Sequence, residues 1–127
     1  MLYAILCYDY EDAVGQWSDE EDAAVMARLD AVLQKVEKSG RLGPVARLLP
    51  TTAATTLRKS AGEPLVIDGP FAETKEQFLG FYLVDCADLN EAIAFSKELA
   101  EANPGNGSYE IRPVGYVRPQ ATEYARE

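Results

Sequence analysis

The sequence predicts an α+β fold, a ferredoxin-like β-α-β-β-α-β sandwich with an inserted β-hairpin. Two apolar runs of strand length, at 2–8 and 78–84, are each followed by a helical pattern, which indicates two β-α-β halves. Proline falls in the other two core strands, at Pro44 and Pro113. Because proline is tolerated in strands mainly at a sheet edge, and this topology places those two strands at the edges, the prolines support it independently.

The first half begins with the strand at 2–8, which is rich in aromatic and branched residues. Ser18 and Glu21 form a capping-box pattern, in which each side chain accepts the backbone N–H of the other residue. A helix follows and ends at Gly40. Its predicted buried face consists of apolar residues at helical spacing: Val25, Met26, Leu29, Val32, Leu33 and Val36.

The middle of the chain predicts an edge strand and a hairpin. The stretch 42–49 is the strand that contains Pro44. The segments 52–59 and 64–67 flank a turn of small residues at 60–62, which indicates a hairpin inserted between the second and third core strands.

The second half repeats the pattern of the first. After the strand at 78–84, Asp88 and Glu91 predict a helix start, and an Asn-Pro-Gly sequence at 103–105 predicts its end. The stretch 109–114 is the last core strand.

Length and charge set limits on the class of protein. With 127 residues, of which 47% are apolar, the chain predicts one soluble domain over 1–117, followed by a polar tail at 118–127. The net charge of −9 and the lack of a Lys/Arg cluster argue against binding of nucleic acid or of an anionic membrane. No signal-peptide pattern occurs, and no apolar run approaches the roughly 20 residues of a membrane helix. We therefore expect a cytoplasmic protein.

The cysteine and histidine counts limit the kinds of metal site and acid–base group that the chain can form. The chain has two cysteines, Cys7 and Cys86, and no histidine, so one chain cannot assemble a Cys/His zinc site. We expect neither a metal nor a cofactor. Acid–base chemistry would then fall to carboxylates, Tyr or Lys. We interpret Cys7, inside an apolar strand, as a buried hydrophobic residue rather than a nucleophile.

Both central strands are apolar on both faces, which has a consequence for assembly. Two helices can cover only one face of a four-stranded sheet, so the runs at 2–8 and 78–84 leave an apolar face to be covered by something else. A second copy of the sheet is the economical choice. The sequence therefore predicts a homodimer whose sheets face each other.

A dense turn signature, Asp68-Gly69-Pro70-Phe71, separates the hairpin from the third core strand. Gly69 can take positive φ and Pro70 lacks an N–H, so the strand must end at Asp68. The Asp68 carboxylate then either caps backbone N–H groups of the turn, which we favour, or serves as an acid or base in a cleft. Phe71 is interpreted as packed under the loop. Three charged residues follow: Glu73, Lys75 and Glu76. They are interpreted either as a solvated helical turn or as residues that line the mouth of a cavity.

The run at 68–76 and the strand at 80–85 resemble the signature of the DGPF proteins, a branch of the YCII-related family, and the similarity extends over 2–114. The resemblance implies a dimeric α/β barrel. Some members of the family pair a histidine with an aspartate in a pocket, and this chain has no histidine. DGPF proteins tend to be encoded beside extracytoplasmic-function sigma factors, so the resemblance also implies a sigma factor as a partner.

The first functional hypothesis is the binding of a small organic-acid-like molecule, with or without weak acid–base chemistry. Asp68 is the catalytic candidate in this hypothesis, and the strand end at Tyr8 and Asp9 borders the pocket. The candidate ligand-binding residues are Arg47, Arg58, Tyr8, Tyr82 and Lys75. Arg47 and Arg58 would neutralise a carboxylate of the ligand, although surface ion pairs are the interpretation that we favour for each arginine taken singly.

Two further hypotheses belong to other classes. One is an accessory or regulatory module that binds a sigma factor, or a similar basic partner, through its acidic surface. The other is a dimer whose pocket has lost its function.

Overall fold

The computed structural model describes residues 1–118 of the chain. The predicted tail at 118–127 therefore lies, apart from Arg118, outside the described residues. The elements, in chain order, are β1 (Leu2–Asp9), α1 (Glu11–Gly15), α2 (Asp19–Lys38), β2 (Leu42–Arg47), β3 (Thr55–Arg58), β4 (Leu65–Asp68), β5 (Gln77–Asp85), α3 (Leu89–Ala102) and β6 (Ser108–Pro113). None of the helices within 1–118 is both long enough and apolar enough to cross a membrane.

Four strands form one antiparallel sheet in the order β2-β5-β1-β6. This is the strand order of the ferredoxin-like topology that the sequence predicts, with β1 and β5 in the centre. Pro44 and Pro113 lie in the edge strands β2 and β6, so no central ladder loses a donor.

Both long helices begin where the sequence predicts. The Ser18 hydroxyl accepts the Glu21 N–H at 3.1 Å, and the Glu21 carboxylate accepts the Ser18 N–H at 3.3 Å, which completes the capping box. Gly40 follows α2 with a φ of 73°. At the start of α3, the Asp88 carboxylate accepts the Glu91 N–H at 2.9 Å. Local hydrogen bonds thus fix the ends of both helices.

The hydrophobic core lies between one face of the sheet and the helices α2 and α3. Ile5 of β1, Val84 of β5 and Leu99 of α3 are fully buried there. Tyr82 packs edge-on against Phe95 of α3, with ring centroids 6.3 Å apart. Both helices therefore cover the same face of the sheet.

The opposite face of the sheet is apolar as well. Side chains alternate along a strand, so Leu6 of β1 points away from the helices, as does its cross-strand partner Phe81. At the end of that face Tyr8 packs against Phe78, with ring centroids 5.5 Å apart. We call this surface the open face; its apolar side chains are Leu2, Ala4, Leu6, Tyr8, Phe78, Phe81 and Leu83.

Two short elements, α1 and a 3-10 turn at Thr51–Ala53, were not predicted. The Glu11 carboxylate accepts the Thr51 N–H at 2.9 Å and also the Thr51 hydroxyl, while the Gln77 side-chain oxygen accepts the Glu11 N–H at 3.0 Å. These contacts join residues that are 40 and 66 positions apart. Local sequence patterns do not reveal contacts between residues so far apart along the chain, so these two elements could not be predicted from them.

The predicted hairpin is present, with shorter arms, as β3 and β4, which pair with each other in a separate two-stranded sheet. All four residues of β4 are exposed. The interpretation of Phe71 as packed under the loop is wrong, because its side chain is 76% exposed. Residues 73–74 are irregular and residues 75–76 form a bend, so the predicted helical turn does not form here. The segment from 55 to 76 therefore stands largely outside the core.

Candidate functional site

A cavity of about 150 Å³ lies between α2 and the helix-covered face of the sheet. Its walls are mainly apolar, and its polar side chains are few. The α2 side of the wall includes Met26, Leu29 and Leu33, and the chain's single tryptophan, Trp17, also lines the cavity. The sheet side consists of Cys7, Val45, Ala46, Leu79, Gly80 and Tyr82.

Gly80 keeps the sheet side of this cavity free of a side chain. It pairs with Cys7 on one side and with Arg47 on the other. A Cβ at this position would come within 2.3 Å of the Ala46 carbonyl oxygen and 3.2 Å of the Arg47 Cα. Any side chain here would push β2 away from β5, so glycine is required by the close approach of the two strands.

Arg47 is a cation at the rim of the cavity. Its Nη2 donates to Asp22 Oδ1 at 2.8 Å, and its Nη1 lies 3.4 Å from Asp22 Oδ2, in a forked arrangement. The same Nη1 lies 3.5 Å from the Met26 sulfur. Both charged side chains are substantially exposed, at 51% for Arg47 and 39% for Asp22, so solvent weakens their attraction and a ligand carboxylate can compete for the guanidinium.

Tyr82 and Cys7 are the ionisable groups on the floor of the cavity. Burial raises the pKa of the Tyr82 phenol, and the nearby Cys7 adds to this effect while Arg47 opposes it. Burial alone raises the pKa of the Cys7 thiol to about 12. Both groups are therefore protonated at neutral pH, and a nucleophilic role for Cys7 has no support in its surroundings.

A smaller recess of about 50 Å³, which has both polar and apolar walls, adjoins the cavity, and both are lined by Cys7, Leu79 and Asn103. Asp9, at the end of β1, is only 8% exposed, and its Oδ1 accepts the Tyr10 N–H at 2.7 Å. We call the group of Asp9, Asn103 and Tyr109, which line this space, the inner recess.

Hydrogen bonding within the inner recess is incomplete. Asn103 Nδ2 donates to the Tyr109 hydroxyl at 3.2 Å, whereas Asn103 Oδ1 is buried and has no partner among residues 1–118. The pKa of Tyr109 is raised, mainly by burial, with smaller contributions from Cys7 and Asp9 that the Asn103 hydrogen bond opposes. A buried acceptor without a donor is costly, so this oxygen is available to a ligand.

The structure brings together only part of the predicted site. Arg47 and Tyr82 both line the cavity. Tyr8 is among the residues that line the smaller recess next to Asp9, but its ring packs on the open face, where its hydroxyl donates to Glu110 at 3.1 Å. Three predicted residues lie on the hairpin and its loop, away from the cavity lining: Asp68, Arg58 and Lys75.

The structure shows no cap made by Asp68. Among residues 1–118 its carboxylate accepts no hydrogen bond, and the turn at this point is held by the Gly69 N–H, which donates to the Ala54 carbonyl at 2.7 Å. The Thr56 hydroxyl donates to the Gly69 carbonyl at 2.8 Å. The capping role that we favoured from the sequence is therefore wrong for the single chain, because cross-strand contacts satisfy the turn instead.

Asn103 and Tyr109 were missed as site residues, since the Asn-Pro-Gly sequence at 103–105 was interpreted only as the end of a helix. A signal was available in the topology. In a β-α-β-β-α-β fold β1 ends, α3 ends and β6 begins at the same end of the sheet, where the strands start or finish. An acidic residue that ends a buried strand, such as Asp9, could have been matched with polar residues at the other two positions.

Within residues 1–118 no three Cys, Asp or Glu side chains come close enough to hold a metal ion. The available ligand-binding groups are the guanidinium of Arg47, the phenols of Tyr82 and Tyr109, and the acceptors of Asp9, Asp30 and Asn103. Asp30 Oδ2 already accepts a hydrogen bond from the Gln34 side chain at 3.0 Å.

Comparison with known proteins gives the family. A family model described as the YCII-related domain matches residues 1–117. A curated relative, an uncharacterized protein of Rhizobium meliloti (strain 1021), is 61% identical over 119 residues, which covers 94% of this chain and 96% of the relative. The match extends over nearly the whole described fold, including the strands and helices that form the cavity and the inner recess. The chain therefore belongs to the YCII-related domain family.

Proposed function

We propose that this YCII-related protein binds a small organic acid with a hydrocarbon body in the cavity between α2 and the sheet. The observation that carries the proposal is the combination of an apolar cavity of about 150 Å³ with a single arginine, Arg47, among its lining residues. The hydrocarbon part of the ligand would be buried against the α2 side chains, and its carboxylate would bind the Arg47 guanidinium. No reaction is part of the proposal.

The geometry of Arg47 supports this choice of ligand. Its guanidinium already holds one carboxylate, that of Asp22, with two nitrogens, so its orientation suits a second planar anion. A bound acid would share or replace Asp22 at the guanidinium. The Tyr82 hydroxyl remains protonated at neutral pH, because burial raises its pKa, and can donate a hydrogen bond to the acid.

The fluorescence of the single tryptophan, Trp17, reports on the cavity directly. Titration with hexanoate should change it in a saturable way. Arg47→Gln should weaken hexanoate binding by about tenfold, the usual effect of one charge-assisted hydrogen bond, and should leave the weaker binding of hexanol unchanged. The matched control is Arg58→Gln on the exposed hairpin, which should bind hexanoate like the parent. Absence of saturable binding, or equal effects of both substitutions, would contradict the proposal.

We also propose that the protein is a homodimer whose open faces pack against each other as a dimeric α/β barrel. The support is the apolar character of that face, which would otherwise remain in contact with solvent. In such a dimer the neighbouring chain could also cover the exposed hairpin, and the catalytic role predicted for Asp68 would depend on that contact. Sedimentation at micromolar concentration tests it; a monomer at all accessible concentrations would contradict it.

The alternative function is an accessory module for an extracytoplasmic-function sigma factor, as membership in the DGPF branch would suggest. Its support is the net charge of −9 and the Asp-Gly-Pro-Phe sequence at 68–71, whose Phe71 is 76% exposed. The hexanoate titration separates the two functions, because a module that acts only through protein contacts has no reason to bind small acids.

A further inference from the structure

The inner recess has a strong bias towards hydrogen-bond acceptors. Asp9 contributes a carboxylate, of which only Oδ1 has a hydrogen bond within residues 1–118. Asn103 contributes the buried, unpartnered Oδ1. The Tyr109 hydroxyl already accepts the Asn103 amide and keeps its own proton, because burial raises its pKa. The recess thus has one carboxylate and two acceptor atoms without a donor among residues 1–118, against a single available donor, the Tyr109 O–H.

The end of α3 adds to the negative potential at this point. Asn103 is the C-cap of α3, where the aligned peptide dipoles place partial negative charge, and the last turn of the helix has no basic residue. Arg28 of α2 donates to the Ala102 carbonyl at 2.9 Å and compensates part of this charge. The Asp9 carboxylate has no cationic partner among residues 1–118.

The walls of the recess are closely packed around Asp9. A Cβ at Gly107 would lie 2.5 Å from the Tyr8 carbonyl oxygen and 3.2 Å from the Asp9 Cγ, and a Cβ at Gly105 would lie 3.3 Å from Asp9 Oδ2. Glycine at both positions lets the loop after α3 close over the carboxylate. The remaining space of about 50 Å³ suits one small group rather than a second ring or chain.

We propose that the inner recess binds a primary ammonium group of the ligand, held by Asp9 Oδ2 and Asn103 Oδ1. An ammonium brings three donors and a positive charge, which suits two acceptor atoms of which one belongs to a carboxylate. This inference rests on the proposed function in one respect, namely that the adjoining cavity is a ligand site.

The positions of the two charged ends define the class of ligand. Arg47 and Cys7 both pair with Gly80, on opposite sides, so they are two strand spacings apart, about 10 Å. Asp9 lies two residues beyond Cys7 on β1. A molecule that reaches both Arg47 and Asp9 must carry its ammonium and carboxylate at opposite ends of a chain of several carbons. The structure thus assigns an ω-amino acid, or a compound of that form, as the ligand class.

Three probes of equal chain length test the two ends separately: hexanoate, hexylamine and ε-aminohexanoate. In the parent protein, calorimetry and Trp17 fluorescence should show that ε-aminohexanoate binds more tightly than either singly charged probe. Asp9→Asn keeps the shape of the side chain and an oxygen for the Tyr10 N–H, and removes the charge. It should weaken hexylamine by about tenfold or more and leave hexanoate unchanged. The control Asp12→Asn removes an exposed carboxylate of α1 and should alter neither probe.

The outcomes separate this inference from the proposed function. Equal affinity of hexylamine for the parent and Asp9→Asn would overturn the ammonium site, even if hexanoate still binds through Arg47. If hexylamine binds in a manner that depends on Asp9 and hexanoate does not bind at all, the ammonium site is supported and the proposed binding of an organic acid through Arg47 is overturned. If Asp9→Asn does not fold, Asn103→Ala applies the same test, with an expected loss of about threefold for hexylamine and none for hexanoate.

Discussion

The two faces of the four-stranded sheet carry similar side chains but have different surroundings. On β1, Ile5 is fully buried under the helices, whereas its neighbour Leu6 belongs to the open face. On β5 the same contrast exists between Val84 and Leu83. Composition therefore does not distinguish the covered face from the open one. Both faces of the central strands are thus apolar, and residues 1–118 place helices over only one of them.

The hairpin extends the contrast. The apolar residues Leu65, Val66 and Ile67 of β4 are all exposed, Val66 by 71%. Their side chains point to alternate sides of the strand, and all of them are exposed within residues 1–118. The covered face should thus be sensitive to substitution in the single chain, while the open face and the hairpin should respond only through a partner.

The largest effect that we predict is at Gly80, on the covered face. Gly80→Glu would place a charge in an apolar cavity and force β2 away from β5, at a cost of roughly several kcal/mol in the free energy of unfolding. Gly62→Glu, in the hairpin turn where a Cβ would meet nothing within 4 Å, is the control and should melt like the parent. Denaturant unfolding measures the stability of both variants. Similar midpoints for Gly80→Glu and Gly62→Glu would show that β2 can move away from β5 at little cost, contrary to the prediction.

The next prediction compares neighbours on one strand. Ile5→Ala should lower the free energy of unfolding by about 2 to 5 kcal/mol, because it leaves a cavity in the core. Leu6→Ala should cost less in a monomer at low concentration, and its cost should grow with protein concentration if the open faces pair. A cost of Leu6→Ala that is large and independent of concentration would mean that the open face is covered within the chain.

A smaller effect is expected at the start of α2, which supports the covered face. Ser18→Ala removes one half of the capping box and should cost about 0.5 to 2 kcal/mol. Ser18→Asp should retain most of the stability, since a carboxylate can accept the same N–H. Thermal unfolding of the two variants gives the comparison, and a loss in Ser18→Asp equal to that in Ser18→Ala would contradict the capping argument.

The smallest effect should occur at Asp68 in the hairpin. Its carboxylate accepts no hydrogen bond within residues 1–118, so Asp68→Ala should change the free energy of unfolding by less than about 0.5 kcal/mol, as for ordinary surface positions. Asp68→Asn should behave alike. A loss typical of a helix cap, confined to conditions in which the protein is dimeric, would instead place this carboxylate at a contact between chains.

The two long helices, α2 and α3, were predictable because their signals are local. The capping box of Ser18 and Glu21 and the cap of Asp88 connect residues three positions apart, and each forms as the sequence indicates. The edge strands were predictable for a similar reason, since Pro44 and Pro113 lack a donor whatever the rest of the chain does.

The site was predictable only in part. Arg47 and Tyr82 were named from the sequence and do line the cavity. Asp68 and Lys75, which belong to the turn signature, and Arg58, which was chosen as a cation for a ligand carboxylate, lie outside its lining. Nearness along the chain is a weak guide to a site, because a sheet brings together residues from strands that are far apart in sequence.

The sequence by itself determined where the two long helices and the four core strands lie and that the central strands are apolar on both faces, because propensity, capping and alternation act over a few residues. Only the tertiary structure decided which polar groups meet. The placement of Asp9, Asn103 and Tyr109 around one recess depends on the strand register and on where α3 ends. The ion pair of Arg47 with Asp22 depends on how α2 crosses β2. Such contacts are set by the packing of whole elements, which no short stretch of sequence contains.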